Sequence, residues 1–200
     1  MNMRIAALVL MLVALPALGQ KYGKPAEGGA SGRTAMVAGF ERGKELKGSG
    51  AQYRQLPQVA AVALTGDETP EQALARIGED GAQVVETKGK LLLFRSAKPR
   101  ALSVASTGDA SVYPAVVNAR TGSLGVLTGM LVVRPRSMAD ADAIAGSHGL
   151  EKVKAYPQLQ TVFYRAKAGA DIADASAALQ ADSRVEIAYP EIIERVRVPK

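Results

Sequence analysis

Apolar positions along the chain recur at two periods, and the switches between them mark out the elements. Val59-Ala-Ala-Val-Ala-Leu64 reads as a short apolar strand. Thr69-Pro-Glu-Gln72 opens a helix: Thr69 is the N-cap, Pro70 takes the first position and Gln72 closes a capping box. Ala73, Leu74 and Ile77 form its apolar face, and Gly78 stops it. Gln83 to Glu86 and Lys90 to Phe94 flank Thr-Lys-Gly, a hairpin signal, and Thr107-Gly-Asp109 marks a further turn. Val112 to Asn118 and Leu124 to Arg134 are strands about Ala-Arg-Thr-Gly. Ser137 then caps a helix with Asp140 in its first turn, Met138, Ala141, Ile144 and Ala145 on one face, and Gly146 and Gly149 at its end. Lys152 to Tyr156 and Thr161 to Arg165 form a hairpin about Pro157-Gln-Leu159. Asp171 caps the next helix, whose stripe is Ile172, Ala175 and Leu179, and Val185 to Tyr189 alternates as a last strand.

This order predicts an α+β fold in two folded units: a smaller β-rich α+β unit over residues 56–124, and a ferredoxin-like antiparallel sheet with two helices over 125–190. The units resemble each other. Thr69 to Gly81 aligns without gaps on Ser137 to Gly149, and each stretch is followed by a hairpin. A duplicated half-motif accounts for this, as do capping rules shared by any helix–hairpin unit. In the second unit both helices fall on one face of the sheet, yet the strands are apolar on both. Val126, Met130 and Val132 alternate with Leu127, Leu131 and Val133, and Phe163 with Val162 and Tyr164. Such a sheet needs a second cover, from the first unit or from a partner.

Residues 1–19 carry a weak positive charge at Arg4, an apolar run from Ile5 to Leu18 and a small-x-small end, Ala17-Leu-Gly19. That is the pattern of a secretory signal, since a bilayer span takes about twenty apolar residues; an uncleaved anchor is the alternative. The expected location is the periplasm or outside the cell, with no membrane contact after cleavage. Residues 20–55 are rich in glycine and charge and read as a flexible leader, with a fragment of helix near Ala35 to Leu46.

Composition narrows the chemistry. With no cysteine and one histidine, thiolate sites and multi-histidine metal sites are excluded. There is no tryptophan and only 4% aromatic residues, too few for a nucleic-acid stacking platform. The net charge of +6 then points to a solvated surface or an acidic protein partner. His148, between Ser147 and Gly149 at a helix end, is the only imidazole base, and sequence neighbours do not form a triad. Asp140, Asp142, Asp171 and Asp174 sit at helix starts as caps, and the glycines follow no phosphate-loop spacing. No catalytic residue, metal or cofactor is expected, and the chain reads as a non-enzyme. Its oligomeric state is not legible.

Ala177-Ala-Leu-Gln-Ala-Asp-Ser-Arg-Val-Glu-Ile-Ala-Tyr-Pro-Glu191 resembles the end of subtilisin-like protease propeptides, which read leucine, two or three residues, Asp-Pro-x-Val, then Glu-Tyr-Val-Glu-Pro. Ser183 stands where that pattern has proline, and Tyr189 where glutamate is frequent. The whole layout resembles the external chaperone family of the Aeromonas serine protease, best over residues 125–200. The resemblance implies a subtilisin-like serine protease as partner, with the open sheet face against protease helices and the C-terminus in the substrate cleft. No protease domain follows here, so the expected action is in trans, as chaperone and inhibitor. Glu191, Ile192, Ile193, Glu194, Arg195, Val196, Arg197, Val198, Pro199 and Lys200 form an alternating, basic-ended tail suited to strand addition in a cleft; a frayed terminus reads the same way. Tyr156, Tyr164 and Tyr189 are the expected aromatic contacts on the sheet. The competing function is an envelope adaptor that uses the same sheet to hold another protein.

The signal reading predicts cleavage near Gly19; mass spectrometry of exported protein that finds an intact Met1 start would refute it.

Overall fold

A computed structural model describes residues 39–107 and 109–195. The signal segment, the leader up to residue 38, the centre of the turn at Gly108, and Val196, Arg197, Val198, Pro199 and Lys200 lie outside the described residues. The elements run β1 Glu45–Lys47, β2 Gln52–Ala63, α1 Pro70–Arg76, β3 Val84–Lys88, β4 Leu91–Arg95, β5 Ala105–Thr107, β6 Ala110–Asn118, β7 Leu124–Pro135, α2 Ala141–His148, β8 Glu151–Tyr156, β9 Thr161–Arg165, α3 Ile172–Ala181 and β10 Val185–Ile193. The fold is α+β. One ten-stranded sheet has the order β3-β4-β2-β6-β7-β9-β8, with β1 on β2, β5 on β6 and β10 on β7. The pairs are antiparallel throughout.

The helix signals act as written. Thr69 accepts from the Gln72 N–H while the Gln72 side chain accepts from the Thr69 N–H, the reciprocal capping box. Asp171 caps α3 through the N–H groups of Ala173 and Asp174. Ser137 caps a 3-10 turn, Met138–Asp140, which leads into α2. Gly149 ends α2 at φ 61°, a left-handed cap that a side chain resists.

Both halves carry one topology. In the first, β2-α1-β3-β4 is completed by β6 in the order β3-β4-β2-β6; in the second, β7-α2-β8-β9 is completed by β10 in the order β8-β9-β7-β10. Residues 96–109, with β5, stand where the second half has α3. This match extends the sequence alignment of the two helices to whole units, as a duplication leaves it. The halves join edge to edge, Ala115 to Val117 of β6 against Val126 to Leu124 of β7.

On one face of the sheet α1 covers Ala60, Val62, Leu92, Phe94 and Val112, while α2 and α3 cover Leu127, Leu131, Val133, Val162 and Tyr164. On the other face the halves diverge. In the first, Leu56, Val59, Ala61, Leu93, Ala115 and Val117 pack together with Leu124 and Val126 of β7 into a second core. The sheet curls to enclose it: β3, at one end of the strand order, returns to the end of β10, where Lys88 Nζ donates to Glu194 O at 3.0 Å. In the second half no other described residues cover the same face.

Three sequence expectations are corrected. Residues 45–55 are not leader: they form β1 and the start of β2, because Leu46 and Tyr53 are buried in the helix-side core despite glycine-rich neighbours. The described part of the helix fragment near Ala35 to Leu46 contains no helix and ends in β1. The strict alternation expected over Val185 to Tyr189 is broken by a bulge between Val185 and Ile187, so that Val185 and Ala188 face the helices while Ile187 turns outward.

Because Val116, Leu46 and Tyr53 belong to the core under α2 and α3, the second half should not stand alone. A fragment beginning at Gly125 is expected to melt lower than one beginning at Gly39, and one beginning at Leu56, which lacks two buried side chains worth about 1.5–3 kcal/mol each, to fall between. Equal unfolding midpoints for all three would show independent units.

Candidate functional site

The open face is built from four strands. Met130, Val132 and Arg134 of β7 lie beside Ile187 and Tyr189 of β10 on one flank, with Tyr189 opposite Val132 and Ile187 opposite Arg134. On the other flank Phe163 of β9 opposes Val132, and Tyr156 and Lys154 of β8 oppose Thr161 and Phe163. Tyr156 and Phe163 meet edge to face at 5.7 Å, and the Lys154 ammonium sits 4.8 Å over the Tyr156 ring. Val132, Tyr156, Phe163 and Tyr189 are half-buried, and Ile187 is 44% exposed. Charge rims the patch: Arg165 pairs with Glu151, and Arg134 approaches Glu186 at 4.0 Å.

At the β10 end the patch deepens into a groove of about 710 Å³, lined by Ser49, Tyr53, Val132 and the chain from Tyr189 to Arg195. A second hollow of about 320 Å³ shares Ser49, Val132 and Tyr189 and reaches Thr161 and Ile187. The wall opposite β10 is the turn of the β1–β2 hairpin, Gly48-Ser49-Gly50. Lys44, just before β1, pairs with Asp171 at 2.9 Å and Asp174 at 3.1 Å, which ties this hairpin to the start of α3.

The segment expected to leave the fold at Glu191 is instead part of it. Ile192 and Ile193 pair with Leu127 and Val126 of β7 after a bulge between Pro190 and Ile192. Ile192 packs against the helix-side core, and its Cγ2 lies 2.6 Å from where a Cβ on Gly125 would sit, so only glycine fits there. Glu191 Oε2 accepts from Thr128 Oγ1 at 2.6 Å. Glu194 Oε1 accepts from Tyr53 Oη at 2.6 Å and Asn118 Nδ2 at 2.9 Å. Asn118 is itself buried, and its Oδ1 holds the β6–β7 turn through the N–H groups of Arg120 and Thr121. Burial, then the Glu194 carboxylate, pushes the Tyr53 hydroxyl up to about 12. Glu194 therefore clasps β2, β3 and the β6–β7 turn to the end of β10. The first exposed residue after β10 is Arg195, and Glu191 belongs to the sheet.

Of the three tyrosines read as contacts, Tyr156 and Tyr189 lie on the open face. Tyr164 is corrected: its side chain is fully buried beneath α2 and its hydroxyl donates to Ala141 O at 2.8 Å. It alternates with Phe163, and the ring facing outward is Phe163. The sequence reading missed Tyr53, Lys154, Ile187 and Ser49. Ile187 and Lys154 carried a signal in their strands, but bulges in β8 and β10 set their facing.

His148 is a structural link. Its Nε2 lies 2.8 Å from Asp182 Oδ2, joining the end of α2 to the end of α3. The Arg184 guanidinium first, and His148 second, hold the Asp182 carboxyl far below the usual carboxylate range. The Ser147 hydroxyl donates to Ala143 O and accepts from Arg184, so it is not a nucleophile poised on the imidazole. Among the described residues no group of three or more His, Asp or Glu is placed to hold a metal ion, and no helix is long and apolar enough to cross a membrane.

Glu194→Ala is expected to destabilise the fold by about 2–3 kcal/mol, since it leaves two part-buried donors without their charged acceptor; chemical denaturation measures this. Tyr53 supplies a pH signature. Its folded pKa lies above the ordinary value of 10, so its share of stability is intact below pH 10 and is lost as pH rises toward about 12. Absorbance titration should show two tyrosines ionising late, Tyr53 and the buried Tyr164, and Tyr53→Phe should remove one of the two.

A family model described as the Open reading frame 2 N-terminal domain matches residues 41–198. Among solved structures, the chain is similar to one from the crystal structure of the Aeromonas sobria serine protease (ASP) in complex with the chaperone (ORF2). The identity is 20% and the TM-score 0.37, over 49% of this chain and 100% of that one. No curated protein matches. The family match spans well over half of the sequence and takes in both sheet halves, the Glu194 clasp and the open face, and on that extent the chain belongs to the Open reading frame 2 N-terminal domain family.

Proposed function

We propose that this chain is exported and acts in trans as a folding chaperone and inhibitor of a subtilisin-like serine protease, without catalysing a reaction itself. One observation carries the reading: of two sheet halves with the same topology, the first encloses the apolar face opposite its helix, and among the described residues nothing covers that of the second. A contiguous apolar patch left on the solvent side of an antiparallel sheet marks an interaction site. The likeness of Ala177 to Glu191 to the ends of subtilase propeptides supports a subtilisin-like protease as the cover.

The physical roles divide by place. Val132, Tyr156, Phe163, Ile187 and Tyr189 supply apolar area that a protease surface covers on binding. A ligand that binds the folded protease and not the unfolded chain stabilises the folded one by mass action. Contacts already formed in the folding transition state also speed its formation. On this reading the residues from Arg195 onward enter the substrate cleft as an added strand. The Glu194 clasp fixes where that segment leaves the fold.

The experiment is an inhibition constant and a refolding yield, with purified subtilisin-like proteases and the thermal midpoint of each variant as control. Tyr189→Asp is expected to weaken inhibition by about tenfold or more at an unchanged midpoint, because it places a charge in the covered face. Removing Val196 to Lys200 should cost about ten- to a hundredfold in inhibition with little loss of stability. Removing everything from Glu191 should also unfold the chain, since Ile192 and Glu194 go with it. If the shorter deletion inhibits as well as the full chain, the tail has no cleft role. If no protease is bound at all, the sheet serves another protein, as in an envelope adaptor.

A further inference from the structure

The turn between β8 and β9 shows a large apolar side chain to solvent. Leu159 is 65% exposed, against 42–44% for Val84, Val153 and Ile187. Local hydrogen bonds hold its backbone. Pro157 opens a 3-10 turn over Pro157–Leu159, and the Gln160 N–H donates to Pro157 O at 3.1 Å. The Thr161 hydroxyl donates to Leu159 O at 2.9 Å. Gln160 is at φ 46°, the only non-glycine residue among those described in the left-handed region. Asparagine or glycine would take that backbone with less strain, and the neighbouring leucine has no core to fill. The fold therefore holds this tip in one conformation without gaining from the leucine itself.

The tip continues the open face. Tyr156 precedes Pro157 and packs on Phe163, and Thr161, which follows the turn, lines the same hollow as Tyr189 and Ile187. Lys154 adds the charge. Among the described residues it pairs with no carboxylate and rests over the Tyr156 ring instead, while Lys152 beside it is matched by Asp142 and Arg165 by Glu151. An ordered apolar tip next to an unmatched ammonium has the character of a binding anchor. Its conformation is already fixed, so binding costs little ordering entropy.

We infer that Leu159 is an anchor residue for the partner, seating in an apolar pocket with a carboxylate on its rim that meets Lys154. This deepens the protease reading and rests on it: the occupant is the serine protease, and the tip and ammonium set which protease surface fits.

The test uses the full chain and purified subtilisin-like serine proteases, the Aeromonas sobria serine protease among them. Binding of the unaltered chain, Leu159→Ser, Leu159→Met and Lys154→Glu is measured together with each thermal midpoint. The inference expects Leu159→Ser and Lys154→Glu each to weaken binding by about tenfold or more, Leu159→Met to stay within about threefold, and all midpoints to be unchanged. Tight binding of the unaltered chain with equal binding by Leu159→Ser overturns the inference and leaves the protease reading standing. An unaltered chain that binds no protease removes both. A midpoint that falls in step with binding across Leu159→Ser and Leu159→Met makes Leu159 a structural residue and overturns the inference. So does self-association by sedimentation that Leu159→Ser abolishes, since a second copy would then be the occupant.

Discussion

The twelve residues of β7 have to satisfy three strands and two cores at once. The start of the strand pairs with β6, its end with β9, and nearly its whole length with β10. Leu127, Leu131 and Val133 point under α2 and α3, while Leu124 and Val126 fill the enclosed core of the other half. A strand so committed cannot slip by one residue, because a slip would exchange its two faces. The position of the open face follows from this. Val132 and Met130 look outward because their neighbours are fixed inward.

The two halves illustrate how one topology yields two surfaces. Curling brings β3 around to Glu194 and seals the first half, and the flanking strands β8 and β9 lie outside that curl. What differs is the packing around the sheet, rather than the order of strands. The clasp at Glu194 gathers contributions from β2, β3 and the β6–β7 turn, and so sets both the closure of one half and the exit of the chain from the other.

Much of the fold was legible because its signals are local. The Thr69 box, the Asp171 cap, the Gly149 stop and the hairpin turns each act within a few residues. The parts that were not legible depend on distant partners. Leu46 and Tyr53 sit among glycines and charges, and only a core supplied by residues beyond 100 makes them strand-forming. The bulges in β8 and β10 shift side chains from face to face with no composition signal. Tyr164 and Phe163 were indistinguishable as outward rings until the strand's facing was known. The run from Glu191 to Ile193 read as the start of a tail because a strand at a sheet edge and a solvated end share its alternation.

The pairing of β10 along β7 has a consequence for how the molecule is made. About fifty residues separate the two strands, and until Val185 to Glu194 has left the ribosome β7 keeps one edge bare and Tyr53 and Asn118 lack their acceptor. Native structure is thus reached late in synthesis and through contacts distant in sequence, which slows folding. Until β10 arrives, the bare edge of β7 is a row of unpaired N–H and C=O groups, a template on which another chain can add a strand.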